Sequence, residues 1–278
     1  MTAEPLTFTK RVRQSLRTPY FLFANHVFDP IGLMSKVAAT ARAVPVYAAN
    51  LMRYSRANRR ASMGVTLRHA WFHTYDRFAS AGSVTAHYFW QDLWAAQTLH
   101  DRGVTQHVDV GSRLDGFIAH VLPFSEVTYV DIRPLDVDWP GFHVRQGSIL
   151  SLPFESDSVP TLSCLHVIEH IGLGRYGDPV DPEGPWKAAR ELARVLAPGG
   201  MLLIGVPTGA ERVCFDAHRI FAPATILGMF DGLTLEEFSF ITDRNQFVRN
   251  HSLDDAARAY YGCGLYRFTK PQKQVPNA

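Results

Sequence analysis

Cysteine is scarce in this chain of 278 residues: Cys164, Cys214 and Cys263 stand far apart, with no C-x-x-C pair. An odd, dispersed set neither frames a disulfide scaffold nor spells a metal ribbon, and it fits a reducing compartment. No apolar run reaches membrane-spanning length without charge or proline. The first twenty residues carry Lys10, Arg11, Arg13 and Arg17 with no apolar stretch behind them, so a secretory leader is not expected. Internal repeats and low-complexity tracts are also missing, which argues against repeat architectures. What is present, 46% hydrophobic residues, suffices for one large domain or one domain with an appendage.

The net charge of +2 hides an uneven distribution. Residues 1–75 hold eleven Lys/Arg against Glu4 and Asp29, while the remainder is net acidic. A basic first quarter suits either a solvated face or attraction to anionic lipid, an acidic glycan or nucleic acid. No recognisable nucleic-acid reading module accompanies it, so nucleic acid is not an expected partner. From Phe21 to Arg60, Ala, Met, Val and Arg predominate, and Pro30 and Pro45 predict short helical pieces. Residues 1–83 therefore read as a basic helical appendage, either packed on its own domain or lying on a membrane surface. The location expected is cytoplasmic, with peripheral contact at the inner face of the membrane as the second option.

From Val84 onward, apolar runs alternate with helical patterns, the signature of a doubly wound α/β domain. Val84–Asp101 spaces Phe89, Leu93, Ala96 and Leu99 as one helix face, widened by Tyr88 and Trp94. His107–Asp131 reads as strand, glycine loop, helix and strand, closing on an acid. Such a loop lets backbone N–H groups approach a ligand, and the acid can bond ribose hydroxyls. A short strand near His143–Gln146 precedes the Ser151-Leu152-Pro153-Phe154 turn, and a fourth strand, Thr161–Val167, leads into Ile168-Glu169-His170. Glycines and prolines then forbid regular structure through Gly172–Pro185. A helix over Trp186–Leu196 stops at Pro198-Gly199-Gly200, and Met201–Val206 is apolar at consecutive positions, as in a strand buried on both faces. Leu235–Thr242, a helix capped at Ser252 and Gly264–Thr269 complete the pattern.

With these pieces in order, the chain resembles the class I S-adenosylmethionine-dependent methyltransferases from about Val108 to Phe268. The pieces that carry the resemblance are VDVGS at Val108–Ser112, SLPF at Ser151–Phe154, HVIEHI at His166–Ile171 and ELARVLAPGGMLLIGVP at Glu191–Pro207. The segments HIGLGRYGDP and AHRIFAP resemble an uncharacterised bacterial branch of that superfamily, a domain of unknown function. The resemblance implies a Rossmann-like methyltransferase fold over residues 84–278, with a doubly wound, mostly parallel seven-stranded sheet. It implies S-adenosylmethionine as cofactor, held by Asp109, Gly111, Ser112, Arg113 and Gly116 on the loop. Asp131 and Ile132 would bind at the ribose and beyond, Ser148 beside adenine, and Leu165 and His166 at the methionine end. Three features depart from the family. Arg113 and Asp115 replace its second and third glycines, with Gly116 one place late; Ser148 replaces an adenine-side acid; and Pro160 replaces an acid at the fourth strand. Arg113 either fills the ligand's seat or turns outward.

Methyl transfer to a hydroxyl or amine needs alignment and a base. His170, at the cleft mouth by analogy, is the first candidate, the rival reading being a structural hydrogen bond. Glu169 can orient it or the cofactor. His218 and Arg219 fall where related methyltransferases present residues to substrate, and Arg219 offers bidentate geometry to an anion. Arg175, Tyr176 and Asp178 belong to a loop that is either a lid or a rigid Ω-type loop. His166, Glu169 and His170 match an H-x-x-E-H zinc-peptidase order, but a strand end and glycines surround them rather than a long helix, so no metal is expected. The function expected is O-methylation of a hydroxyl-bearing small molecule or glycan. The alternatives are an inactive methyltransferase-fold binding or scaffold protein at a membrane or in an assembly, and a nicotinamide-dependent oxidoreductase.

Overall fold

The computed structural model describes residues 30–57, 84, 87–133 and 135–272. The basic residues Lys10–Arg17, Arg59 and Arg60 lie outside them. The chain divides into two compact units, Met1–Ser83 and Val84–Ala278. In the first, α1 (Pro30–Ala57) is one helix of 28 residues that runs through Pro45, where the sequence predicts a break. Proline there removes one intrahelical hydrogen bond. Strong helix formers on both sides, Ala38, Ala39, Ala41, Ala43, Ala48 and Ala49, carry the helix past it. No helix among the described residues is long and apolar enough to cross a membrane.

The second unit is built on one mixed sheet. In chain order its elements are α2 (His87–Asp101), β1 (Gln106–Val110), a π-helical turn (Leu114–Ile118), α3 (Ala119–Val121), β2 (Glu126–Asp131) and β3 (Phe142–Gln146). There follow β4 (Val159–Leu165), α4 (Gly184–Val195), β5 (Leu196–Thr208), a small hairpin of β6 (Arg212–Cys214) and β7 (His218–Ile220), and α5 (Pro223–Met229). The last are β8 (Thr234–Ile241), β9 (Phe247–Val248), α6 (Leu253–Ala257) and β10 (Gly262–Thr269). The sheet order is β3-β2-β1-β4-β5-β10-β8-β9. β1 to β5 pair in parallel, and β10 runs antiparallel between β5 and β8. Seven strands are expected; the eighth is the two-residue β9 at the edge.

Side chains alternate between the faces of a strand, and both faces here are covered. On one, Leu202, Ile204 and Val206 of β5 meet Tyr266 and Phe268 of β10, under Ala188, Ala189, Leu192 and Val195 of α4 and Ile226 of α5. On the other, Met201, Leu203 and Leu265 meet Trp94, Ala95 and Leu99 of α2 with Phe117 and Ile118 of the π-helical turn. The predicted face of α2 is corrected by about one residue: Phe89 and Leu93 are 42% and 39% exposed, whereas Gln91 and Asp92 are buried with Trp94. Two glycines make room for these polar side chains. A β-carbon at Gly205 would overlap the Gln91 amide, and one at Gly116 would overlap the Asp92 carboxylate. The SLPF turn is held by an ion pair on α4. Glu191 accepts from Leu152 N at 2.7 Å, and Arg194 binds Glu191 at 2.7 Å and Phe154 O at 3.0 Å.

Candidate active site

The carboxyl ends of β1, β2 and β4 meet on one rim of the sheet, the usual place for a ligand in open α/β folds. A buried polar chain underlies it. His107 Nε2 lies 2.8 Å from Ser163 Oγ, and Ser163 donates in turn to Asp109 Oδ2. Ser112 gives Asp109 two bonds, from its N at 2.9 Å and its Oγ at 2.6 Å, and its Oγ accepts from Leu165 N at 3.1 Å. Asp109 and Ser112 are therefore placed beneath the loop, with their polar side-chain atoms committed to one another and to β4. Burial lifts the Asp109 pKa to about 6, against those hydrogen bonds. Burial likewise pushes His107 down to about 3.

Above this floor Gly111 turns with φ +74°, and a β-carbon there would press on the Val167 methyls at 3.2 Å. Arg113 faces outward: it forms a fork with Asp115, at 2.9 and 2.6 Å, and lies 4.6 Å over the Tyr88 ring. Gly116 serves helix packing against Asp92 rather than the loop. Asp131 ends β2 as expected, but its carboxylate is occupied. Arg133 donates to it from N, Nε and Nη2 at 2.8, 2.9 and 2.8 Å. Burial opposes ionisation of Asp131, and the bonds from Arg133 outweigh it and hold the carboxyl below its usual range. The Arg133 guanidinium also lies 5.3 Å over the ring of Tyr176, so it ties the end of β2 to the glycine-rich loop. Ile132 is 37% exposed beside it. Ser148 caps its own turn, accepting from Leu150 N at 3.2 Å.

Beyond β4 the chain brings together a cluster of histidines. His170 Nδ1 lies 2.6 Å from Ala217 O. A carbonyl only accepts, so Nδ1 carries a proton, and in the neutral ring the lone pair falls on Nε2, 3.8 Å from Glu169 Oε1. The His170 ring meets Tyr176 at 5.4 Å and His218 at 6.4 Å, and His218 meets Tyr261 at 5.3 Å. Burial lowers the His218 pKa and raises that of Tyr261 to about 12. Glu169 is 1% exposed; Oε1 binds His166 Nδ1 at 2.9 Å and Oε2 has no hydrogen-bond partner. Burial works against the Glu169 charge, and His166 outweighs it and holds the carboxyl below its usual value. His166 stacks on His87 at 5.4 Å and meets the edge of Tyr88 at 4.9 Å.

Two of the expected catalytic residues bond within the protein itself. Arg219 is buried, and its guanidinium donates to Ile171 O at 2.7 Å and Glu169 O at 3.3 Å, so it pins the loop after β4 instead of facing an acceptor. Asp178 folds back on its own loop and accepts from Gly172 N at 2.6 Å. Four members of the rim, His87, Tyr88, Tyr261 and Cys263, are not among the site residues expected from the sequence. Nothing in their spacing marks them, because they reach the site from the start of α2 and the C-terminal strand.

The sheet with its flanking helices defines a mostly parallel α/β fold of the Rossmann-like type. The family model described as "Caenorhabditis protein of unknown function, DUF268" matches residues 155–258, less than half of the chain. That span includes HIGLGRYGDP and AHRIFAP, and the description names Caenorhabditis where a bacterial branch is expected. No curated protein matches. Among solved structures, the N-methyltransferase NodS from Bradyrhizobium japonicum in complex with S-adenosyl-L-homocysteine is 18% identical, with a TM-score of 0.48 over 69% of this chain and 90% of that one. A putative sarcosine dimethylglycine methyltransferase from Galdieria sulphuraria is 17% identical, with a TM-score of 0.47 over 66% and 85%. The 1,6-didemethyltoxoflavin-N1-methyltransferase of Burkholderia thailandensis is 15% identical, with a TM-score of 0.46 over 66% and 79%.

Proposed function

We propose that this chain is an S-adenosylmethionine-dependent methyltransferase acting on a hydroxyl-bearing small molecule or glycan. The observation that carries the reading is the fixed tautomer of His170, whose Nε2 lone pair stands on the rim that also holds the Gly111 turn and Asp131. The residues present fit the cofactor: Gly111 has no side chain at the turn, Arg113 points away, and Asp131 offers two oxygens to a ribose once Arg133 swings aside. Bound there, S-adenosylmethionine would supply a sulfonium methyl with a neutral leaving group. His170 Nε2 takes the acceptor's hydroxyl proton, and Nδ1–H stays on Ala217 O throughout. The nearby Glu169 charge stabilises the imidazolium formed. His218 and Tyr261 flank the space in front of His170 and orient the acceptor.

Calorimetric titration with S-adenosylmethionine and S-adenosylhomocysteine tests the first half: both bind, whereas no heat at roughly millimolar ligand removes the proposal. His170→Ala lowers turnover by about 10²–10⁴-fold and leaves cofactor affinity nearly intact. Loss of folding or of cofactor binding in that variant assigns His170 to structure instead.

One observation favours the second reading, a methyltransferase-fold scaffold without catalysis: Arg133 occupies the acid on which nucleoside binding depends. The chain would then act at a membrane surface or in an assembly through its basic first quarter. Flotation on anionic liposomes, with and without residues before Tyr75, tests this; truncation that abolishes flotation from a chain that binds no cofactor supports the scaffold.

A further inference from the structure

The rim holds more metal-type donors than methyl transfer uses. His87 at the start of α2, His166 directly after β4 and Cys263 in β10 come from three distant segments, and their donor atoms all lie within 4.8 Å of one another. We propose that these three side chains bind one divalent transition-metal ion of the zinc type. The proposal goes beyond the methyl-transfer reading and does not depend on it.

The donor set suits such an ion, since two imidazoles and a thiolate select zinc-like metals over magnesium or calcium. With bonds of about 2.0–2.3 Å, tetrahedral donors stand roughly 3.3–3.8 Å apart, so the widest pair here closes by about 1 Å. His87, at a helix start and less buried than Cys263, packs on His166 at 5.4 Å and Tyr261 at 5.0 Å and is the side chain that closes this distance. Two independent features aim the cluster. Glu169, 1% exposed, binds His166 Nδ1 at 2.9 Å and directs Nε2 toward the other donors, which is the carboxylate–histidine–metal relation. Its Oε2 has no hydrogen-bond partner, and a buried carboxylate in that position calls for positive charge nearby. Second, His166 holds φ +56°, a left-handed conformation uncommon outside glycine, and its side chain is buried. The H-x-x-E-H order in the sequence is thus not the ligand set: Glu169 stands behind His166 rather than around the ion. Binding expels the Cys263 thiol proton to solvent. Three protein donors leave the fourth position to water or to a substrate oxygen.

The full chain, stripped with chelator and titrated with cobalt(II), tests this. One equivalent binds, with d–d bands of tetrahedral intensity and a thiolate-to-cobalt charge-transfer band. Cys263→Ser abolishes the charge-transfer band, and Glu169→Gln weakens cobalt by about 10–100-fold. His87→Ala, at a partly exposed position, reports even if the Cys263 variant fails to fold, and it weakens binding and alters the d–d bands. Absence of cobalt binding by the folded chain, or an unchanged spectrum and affinity in His87→Ala, overturns the site and leaves an imidazole–thiol packing cluster.

Discussion

Asp109 illustrates how one side chain couples strand, loop and pH. Its carboxylate is fully buried and accepts from Ser112 and Ser163, and burial raises its pKa from 3.8 to about 6. Between those values the folded chain holds a proton that the unfolded chain has released. Its contribution is therefore greatest below about pH 4, declines as pH rises to about 6, and is level above. His107 works in the opposite sense: burial lowers its pKa to about 3, so its share of stability is complete above about 6.5 and is lost as pH falls toward 3. A variant isolates the first effect. Urea unfolding of wild type and Asp109→Asn is expected to show a wild-type advantage larger at pH 4 than at pH 7, by on the order of 3 kcal/mol. A difference that is flat with pH refutes the assignment.

At the scale of elements, the Arg133 bridge governs the loop after β4. It joins the end of β2 to Tyr176, while Asp178, Arg175 and Arg219 hold the loop's own backbone and its neighbours. Because Arg133 is largely exposed, the bridge contributes only about 0.2–1 kcal/mol. Arg133→Ala is expected to raise tryptic cleavage at Arg175 and to improve S-adenosylmethionine affinity by up to several-fold, since Asp131 no longer has to be vacated. Equal cleavage and weaker binding speak against that competition. The strands were legible because runs such as Met201–Val206 are apolar at every position, as burial on two faces demands. The face of α2 was not, since Gln91 and Asp92 are buried only by virtue of Gly205 and Gly116, far away in sequence. His170 was legible because it follows a strand end. His218 was legible only through the family resemblance, whereas Tyr261 and the His87–Cys263 pair are joined only by tertiary contact, which no local spacing records.

For the whole molecule, the division at Ser83/Val84 leaves both apolar clusters and the rim within residues 84–278. A fragment of those residues is expected to melt cooperatively and to keep the far-ultraviolet dichroism of a mixed α/β protein. A broad, non-cooperative melt shows that the first unit is needed for folding. The reversed direction of β10 has a consequence for synthesis. The free side of β5 finds its hydrogen-bonding neighbour only when residues 262–269 have left the ribosome, and those same residues deliver Cys263 to the rim. A nascent chain stopped before them thus offers a long, greasy, unzipped border to other chains, and completing the rim is the same event as sealing it.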